Sequence, residues 1–199
     1  PISAAGLGNV IVDYKGVVDK GLSDVMRRIE NKLKRLDPRE PGNTRKRWFL
    51  EAALQGNQAV VMFSGRIADC CKEQAEQEKD ETRRRELLKL EDICRNVPLN
   101  PARTFHEAVQ SIYMILLAVH LESNGHAISL GRFDQYVYPY YKRDLEEGRI
   151  TREEALEIVE CFFIKCNELN KLRSWPDTEF FLGYQMFINL AIAGQTVDG

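Results

Sequence analysis

The sequence lacks any apolar run long enough to span a bilayer. A transmembrane helix needs about 20 consecutive apolar residues. The most apolar run here, residues 112–121, is about half that length and contains His120. No stretch near the start has the charged, apolar and small-residue regions of a signal peptide. These absences predict a cytoplasmic protein without a membrane partner.

A large net charge of either sign is also missing. The 199 residues carry a net charge of −2, so the sequence has no basic region of the kind that nucleic-acid binding requires. Hydrophobic residues make up 44% of the chain, which is enough for a substantial core and excludes disorder as the default. We therefore expect a folded protein without a nucleic-acid partner.

The spacing of the cysteines does not suit a metal site. No two cysteines form a Cys-x-x-Cys pair, which argues against a structural zinc site. An odd number of cysteines without a secretory context indicates reduced thiols instead of disulfides. We expect no bound metal. The five cysteines are Cys70, Cys71, Cys94, Cys161 and Cys166.

The sequence does contain a succession of amphipathic helical patterns, in which apolar residues recur every three or four positions. Thr-x-x-Glu capping boxes begin two of these helices, at Thr104 and Thr151. Two short β-rich runs, residues 9–14 and 187–193, predict strands, the second of them buried. The residues around Pro176 are predicted to be irregular. The predicted helices cover residues 17–36, 44–79, 86–96, 104–122, 136–147 and 151–169.

Three details of these helices carry further predictions. Residues 112–121 are apolar on nearly all faces, as in helices buried inside large proteins, so we expect the chain to be a fragment. If this surface is exposed, the chain needs a missing part; if it is covered, the chain is a self-sufficient helical domain. Gly56 and Gly65 within the second helix predict close packing or a bend there, and a turn is predicted near Asp80.

Residues 122–141 contain the best candidate for ligand binding. His126 follows Gly125 in a loop that Gly131 closes, and such a flexible backbone can present an imidazole to a ligand. His106 and His120 fall inside predicted helices, where histidine is more often structural.

The pattern G-H-x-I-S-x-G-R-F-D-Q-Y, from Gly125 to Tyr136, resembles the pyruvate formate-lyase-like glycyl radical enzymes, in their glycerol and diol dehydratase branch. Residues 8–22, 94–113, 144–165 and 189–199 are also similar to that family, so the resemblance covers nearly the whole chain. It implies that residues 1–199 are one partial domain, the N-terminal and central part of a ten-stranded α/β barrel and its surrounding helices.

The resemblance also implies an activity. In the family, a glycyl radical installed by a separate radical S-adenosylmethionine activase oxidises a cysteine, and the thiyl radical abstracts hydrogen from a small substrate. Water or another leaving group is then eliminated in the dehydratase branch, in anaerobic metabolism. A homodimer is implied for the full-length protein, and no cofactor is expected on this chain itself.

The motifs that carry the family's radical chemistry are absent. Gly-Cys-x-Glu and Arg-Val-x-Gly-Tyr do not occur, so no catalytic residue is expected in this chain. Cys71 and Cys166 each begin a Cys-x-Glu triplet without the preceding glycine, and Gly183-Tyr184 lacks the arginine of the radical motif. All three similarities are interpreted as coincidences.

The resemblance assigns substrate contacts to His126, Ala127 and Asn9. The family has Gly-His-Ser where this chain has His126 and Ala127, and a histidine where it has Asn9. Losing the serine hydroxyl removes a hydrogen-bond partner for a polyol, which argues against glycerol or propanediol. Three more residues match motif positions and are expected to support the loop: Ser129, Arg132 and Asp134. For Arg132 and Asp134, a contact with a dimer partner or with another domain is an alternative role.

Two alternatives to a lyase or dehydratase stay open at this stage. One is formate acetyltransferase activity within the same family, although Gly-His-x-Ile-Ser favours the dehydratase branch. The other is a helical interaction or scaffold domain that keeps these segments without their chemistry.

Overall fold

The computed structural model describes residues 8–123, 125, 127–170, 174–181, 183 and 186–194. Helices dominate these residues and strands are short, which confirms the mostly helical prediction. The elements in order are β1 (Val10–Ile11), α1 (Tyr14–Arg35), α2 (Asn43–Gln77), α3 (Glu81–Asn96), α4 (Phe105–Ser123), β2 (Ile128–Ser129), α5 (Phe133–Glu146), α6 (Arg152–Glu168) and α7 (Trp175–Phe180). Within the described ranges, no helix is both long and apolar enough to cross a membrane. The chain divides into two compact units, residues 16–102 and residues 1–15 with 103–199.

In the unit formed by residues 16–102, α2 and α3 pack along each other. The predicted turn near Asp80 is confirmed, since Asp80 is the N-cap of α3 and its carboxylate accepts a hydrogen bond from the N–H of Arg83 at 2.7 Å. The buried hydroxyl of Ser64 lies 2.8 Å from the carbonyl oxygens of both Cys94 and Val97. This contact ties the middle of α2 to the C-terminal end of α3.

Helix α1 is interrupted at Gly21, whose φ of 74° and ψ of 165° lie outside the helical region. The interruption releases backbone groups that the segment after α3 satisfies. The N–H of Leu22 donates to the carbonyl of Pro98 at 2.8 Å, and that of Ser23 to Leu99 at 2.9 Å. Position 21 is therefore a point where two backbone segments touch.

In the other unit, α4 forms the centre and contacts α5, α6 and β2. Ile112 and Leu116 on this helix are completely buried, whereas Leu121 at its end is 67% exposed. Its neighbours in the chain therefore cover most of residues 105–116, whereas residues 117–119 are only half-buried, so the cover that a self-sufficient domain would need is incomplete. Exposed apolar surface lies elsewhere, for example at Trp48 and Phe49 on α2.

The two predicted capping boxes have different outcomes. At Thr151 both halves form, with the Glu154 N–H donating to the threonine hydroxyl and the Glu154 carboxylate accepting from the Thr151 N–H. At Thr104 only the first half appears, through the N–H of Glu107 at 3.2 Å. The Glu107 carboxylate instead accepts from Arg103, including its Nε at 2.8 Å.

Two structural predictions were wrong. The residues around Pro176 form the short helix α7. Residues 187–193 are not buried, since the side chain of Ile192 is 72% exposed. Of the two alternatives predicted at Gly56 and Gly65, close packing is not observed among the described residues, because a Cβ at either position would meet no atom within 4 Å, and a bend stays a prediction.

Two buried tyrosines provide a matched test of hydrogen bonding. The hydroxyl of Tyr136 donates to the carbonyl of Leu130 at 2.9 Å, whereas that of Tyr14 has no hydrogen-bond partner among the described residues. Because a buried unpaired hydroxyl is unfavourable, we expect Tyr14→Phe to raise the free energy of unfolding by about 1 kcal/mol and Tyr136→Phe to lower it by about as much. Urea unfolding of both variants measures the difference. A loss in Tyr14→Phe equal to that in Tyr136→Phe would show that Tyr14 is hydrogen-bonded.

The same two tyrosines make the free energy of unfolding depend on pH. Burial raises the pKa of both phenols above their usual value. Above about pH 10 the unfolded chain loses these protons while the folded chain keeps them, so the free energy of unfolding falls as pH rises. Tyr14→Phe removes one of these phenols and should therefore reduce the fall in the free energy of unfolding as pH rises.

Candidate functional site

Strands β1 and β2 bring two of the predicted site residues together. The strands are parallel, with Val10 opposite Ile128 and Ile11 opposite Ser129. Asn9 and Ala127 immediately precede these strands and are therefore neighbours across the pair. Both have left-handed backbone conformations, with φ of 58° at Asn9 and 55° at Ala127. Two residues that are far apart in sequence thus lie side by side in the same unusual conformation.

A third segment, residues 186–194, extends this arrangement. The N–H of Ala127 donates to the carbonyl of Met186 at 2.7 Å, and in a parallel pair this bond places the following residue, Phe187, opposite Ala127. Phe187 is also left-handed, with φ of 55°. We call Asn9, Ala127 and Phe187 the left-handed row. The sequence analysis missed Phe187, because phenylalanine gives no sequence signal for this conformation.

The left-handed row carries backbone strain at the start of three extended segments. A non-glycine residue in this region costs of order 1 kcal/mol, and such residues cluster at functional sites where the surrounding structure holds them. Ala127 is buried, Phe187 is half-buried and Asn9 is exposed. The buried residue is thus the middle one of the row, with a half-buried and an exposed neighbour on its two sides.

The third segment stays beside β2 after the row. The N–H of Leu130 donates to the carbonyl of Asn189, and the N–H of Ala191 donates to that of Gly131, both at 2.7 Å. Leu130 and Gly131 are thus both opposite Leu190. Two residues opposite one, with a φ of 66° at Gly131, form a β-bulge.

The remaining predicted residues have different positions. His126 lies outside the described residues. Ser129 is half-buried within β2, opposite Ile11. Arg132 and Asp134 follow the bulge, and both contact Ala193, at the end of the third segment. The Asp134 carboxylate accepts from the Ala193 N–H at 2.7 Å, and Arg132 Nη2 donates to the Ala193 carbonyl at 3.4 Å.

An open apolar groove of about 570 Å³ lies between α5, α6 and residues 190–192. Its exposed side chains include Tyr138, Leu156, Phe163 and Ile192. Polar side chains on it are few, Asp134 among them. The groove lies within a single unit of the chain and presents apolar surface to solvent.

Comparison with known proteins identifies the family. Residues 1–199 match the family model described as pyruvate formate lyase-like. The chain belongs to this family of glycyl radical enzymes.

The most informative relatives in this family are lyases and dehydratases. Isethionate sulfite-lyase of Nitratidesulfovibrio vulgaris is 40% identical over 190 residues, which are 94% of this chain and 23% of the relative. A structure described for 1,2-propanediol dehydration in Roseburia inulinivorans has a TM-score of 0.94 at 43% identity, covering 97% of this chain and 24% of that one. The B12-independent glycerol dehydratase of Clostridium butyricum, in its glycerol-bound form, has a TM-score of 0.92 at 36% identity over 98% of this chain and 24% of that one. The chain thus spans about a quarter of the length of these relatives.

For a glycyl radical enzyme, the state of the cysteines is of direct interest. Burial raises the pKa of the Cys166 thiol to about 11 and also raises that of Cys71, so both are neutral thiols at pH 7. Neither has the surroundings of an activated thiolate. Among the residues that the structure describes, no group of three or more His, Cys, Asp or Glu side chains is arranged to hold a metal ion.

Proposed function

We propose that residues 1–199 form part of a glycyl radical lyase or dehydratase, which eliminates water or another leaving group from a small polar substrate. The observation that supports this best is the register of β1 and β2. It makes neighbours of Asn9 and Ala127, the two described positions that the family resemblance assigns to one substrate wall. The names of the relatives support a lyase or dehydratase over a formate acetyltransferase and over a scaffold domain.

In this proposal the chain contributes the wall of the pocket and not its reacting groups. His126 would bind a substrate hydroxyl, and Asn9 and Ala127 would line the same edge. Ser129, Arg132 and Asp134 would support that edge. A glycyl radical and a reactive cysteine, supplied by other parts of the full-length protein, would provide hydrogen-atom abstraction.

The rest of the proposal concerns the complete protein. It comprises a ten-stranded barrel to which residues 1–199 contribute one partial domain, a radical S-adenosylmethionine activase as partner, a homodimer and a cytoplasmic location. The open groove along α5 and α6 is consistent with a longer protein, because large exposed apolar surfaces are normally covered.

The relatives' names suggest a substrate class. Isethionate, 1,2-propanediol and glycerol are all two- or three-carbon alcohols. In each, the group that can leave is bonded to a carbon adjacent to a hydroxyl-bearing carbon. Ala127 offers a methyl group where the resemblance expects a serine hydroxyl, so one hydroxyl of a triol would have no partner at this position. We therefore propose a short alcohol other than glycerol as the substrate.

The test uses the full-length protein, activated without oxygen and supplied separately with isethionate, 1,2-propanediol and glycerol. We expect a glycyl radical signal by electron paramagnetic resonance, and turnover of isethionate with a kcat/KM at least about 100-fold above those for 1,2-propanediol and glycerol, the two polyols that the missing serine hydroxyl argues against. Each substrate leaves an aldehyde, so sulfite release identifies turnover of isethionate, whereas the two polyols lose water. A protein that forms no glycyl radical under activation would contradict the proposed function.

The variant His126→Ala then locates the site. It should keep the radical signal and lower kcat/KM by about 10- to 100-fold, because a hydrogen bond to the substrate is lost. His106→Gln, on α4, is the matched control and should leave the kinetics unchanged. Wild-type kinetics in His126→Ala would remove this residue from the site.

A further inference from the structure

Helix α5 anchors two of the segments that follow the left-handed row, the β2 segment and the third segment. The hydroxyl of Tyr136 donates to the carbonyl of Leu130 at 2.9 Å, which fixes the end of the β2 segment to the helix. Asp134, one half-turn earlier on the same helix, accepts from the N–H of Ala193 in the third segment. The two segments therefore share one support, at Leu130 in the β2 segment and at Ala193 in the third segment.

This support holds the end of the third segment, where its last residues change direction. Ala193 and Gly194 both have positive φ, of 66° and 96°, so the extended conformation ends there. A Cβ at Gly194 would be in ordinary contact with Nη2 of Arg132, at 3.4 Å, so it is the positive φ that favours glycine there. The peptide groups of Ala193 are held from both sides, by Asp134 at the N–H and by Arg132 at the carbonyl.

The chemistry at position 134 suits a carboxylate specifically. Oδ2 of Asp134 accepts from Ala193, while Oδ1 lies 2.8 Å from the N–H of Gln135 in the first turn of α5. An asparagine has one acceptor oxygen and could serve only one of these N–H groups well. The negative charge is also favourable at the N-terminus of α5.

We propose that Asp134 is a positioning residue for the substrate edge: through Ala193 it holds residues 186–194 against β2, and so keeps Phe187 in line with Ala127 and Asn9. This inference rests on the proposed function, in that the row is taken to face the substrate. It extends the predicted role of Asp134 from its own loop to a different segment.

The experiment compares Asp134→Ala, Asp134→Asn and the control Glu153→Gln in the activated full-length protein, with isethionate and 1,2-propanediol as substrates. Glu153 is also a first-turn carboxylate lining the groove, but on α6 and without a hydrogen bond to the described part of the third segment. Three quantities are measured for each protein: amide hydrogen exchange in residues 186–194, glycyl radical content, and kcat and KM separately.

In Asp134→Ala we expect exchange in residues 186–194 to be about 10- to 100-fold faster, the factor expected for a lost hydrogen bond to a charged group. KM should rise at least about tenfold while radical content stays at the wild-type level. Asp134→Asn, which keeps the side-chain volume, should fall between Asp134→Ala and wild type. Glu153→Gln should match wild type.

Unchanged exchange in Asp134→Ala would overturn the inference. So would faster exchange with wild-type KM and kcat, because Asp134 would then hold the segment without affecting the substrate. If Asp134→Ala does not fold, the same comparison is made with Asp134→Asn. A wild-type protein without radical or turnover would contradict the proposed function, while hydrogen exchange would still decide whether Asp134 holds residues 186–194.

Discussion

Replacing Gly21 by alanine is expected to lower the free energy of unfolding of the chain by about 3 kcal/mol or more. Two independent effects contribute. The backbone at Gly21, with φ of 74° and ψ of 165°, lies in a region that is essentially restricted to glycine. In addition, a Cβ there would overlap the carbonyl oxygen of Leu99 and lie 2.7 Å from the carbonyl carbon of Asn100. The Leu99 carbonyl oxygen cannot move away without breaking the hydrogen bond that it accepts from the N–H of Ser23.

Gly56 on α2 provides the matched control for this prediction. Its backbone is helical and a Cβ there would meet nothing within 4 Å, so Gly56→Ala should raise the free energy of unfolding by about 1 kcal/mol. Urea denaturation of both variants measures the two changes in the same way. If Gly21→Ala were as stable as Gly56→Ala, the interruption of α1 would not be held by residues 98–102.

Replacing Asp144 by alanine is expected to lower the free energy of unfolding by about 2 to 3 kcal/mol. This carboxylate is 2% exposed and lies on α5, where it accepts from the N–H of Phe105 at 2.7 Å and from Nη1 of Arg149 at 2.8 Å. It therefore caps the N-terminus of α4, the central helix of its unit, from a neighbouring helix. Without it, the buried N–H of Phe105 loses its acceptor.

Glu146, two residues further along α5, is the control for Asp144. Its side chain is 65% exposed and lies 3.8 Å from Lys142, so Glu146→Ala should change the free energy of unfolding by less than about 0.5 kcal/mol. The comparison is made by urea unfolding at neutral pH. Equal losses in the two alanine variants would refute a special role for Asp144.

Elements specified by local sequence could be predicted, and α2 and α6 illustrate this. Residues 44–79 were predicted for α2, which spans Asn43–Gln77, and the capping box at Thr151 begins α6 as expected. Helix α7 was missed because Pro176 was interpreted as a breaker. Proline is tolerated in the first turn of a helix, where its missing N–H has no helical partner, and Ser174 supplies the cap.

Elements that depend on partners distant in sequence were harder to predict. Strand β2 consists of two residues in a glycine-containing loop, and it exists because it pairs with β1. The same non-local pairing aligns Asn9 with Ala127, which the family resemblance alone had related. Phe187 and the contact from Asp134 to Ala193 had no sequence signal, because neither backbone handedness at phenylalanine nor a hydrogen bond across 59 positions leaves a local pattern.

The left-handed row limits how this edge can be redesigned. At positive φ, asparagine, aspartate, histidine and glycine are tolerated, whereas β-branched residues are strongly disfavoured. A mutant library at positions 9, 127 and 187 that omits valine, isoleucine and threonine would therefore discard few folded variants. Within the remaining set, side-chain polarity can be exchanged while the backbone path stays fixed. If these residues line the substrate site as proposed, selection for a new substrate would therefore change their hydrogen-bonding groups more readily than it would introduce β-branched side chains.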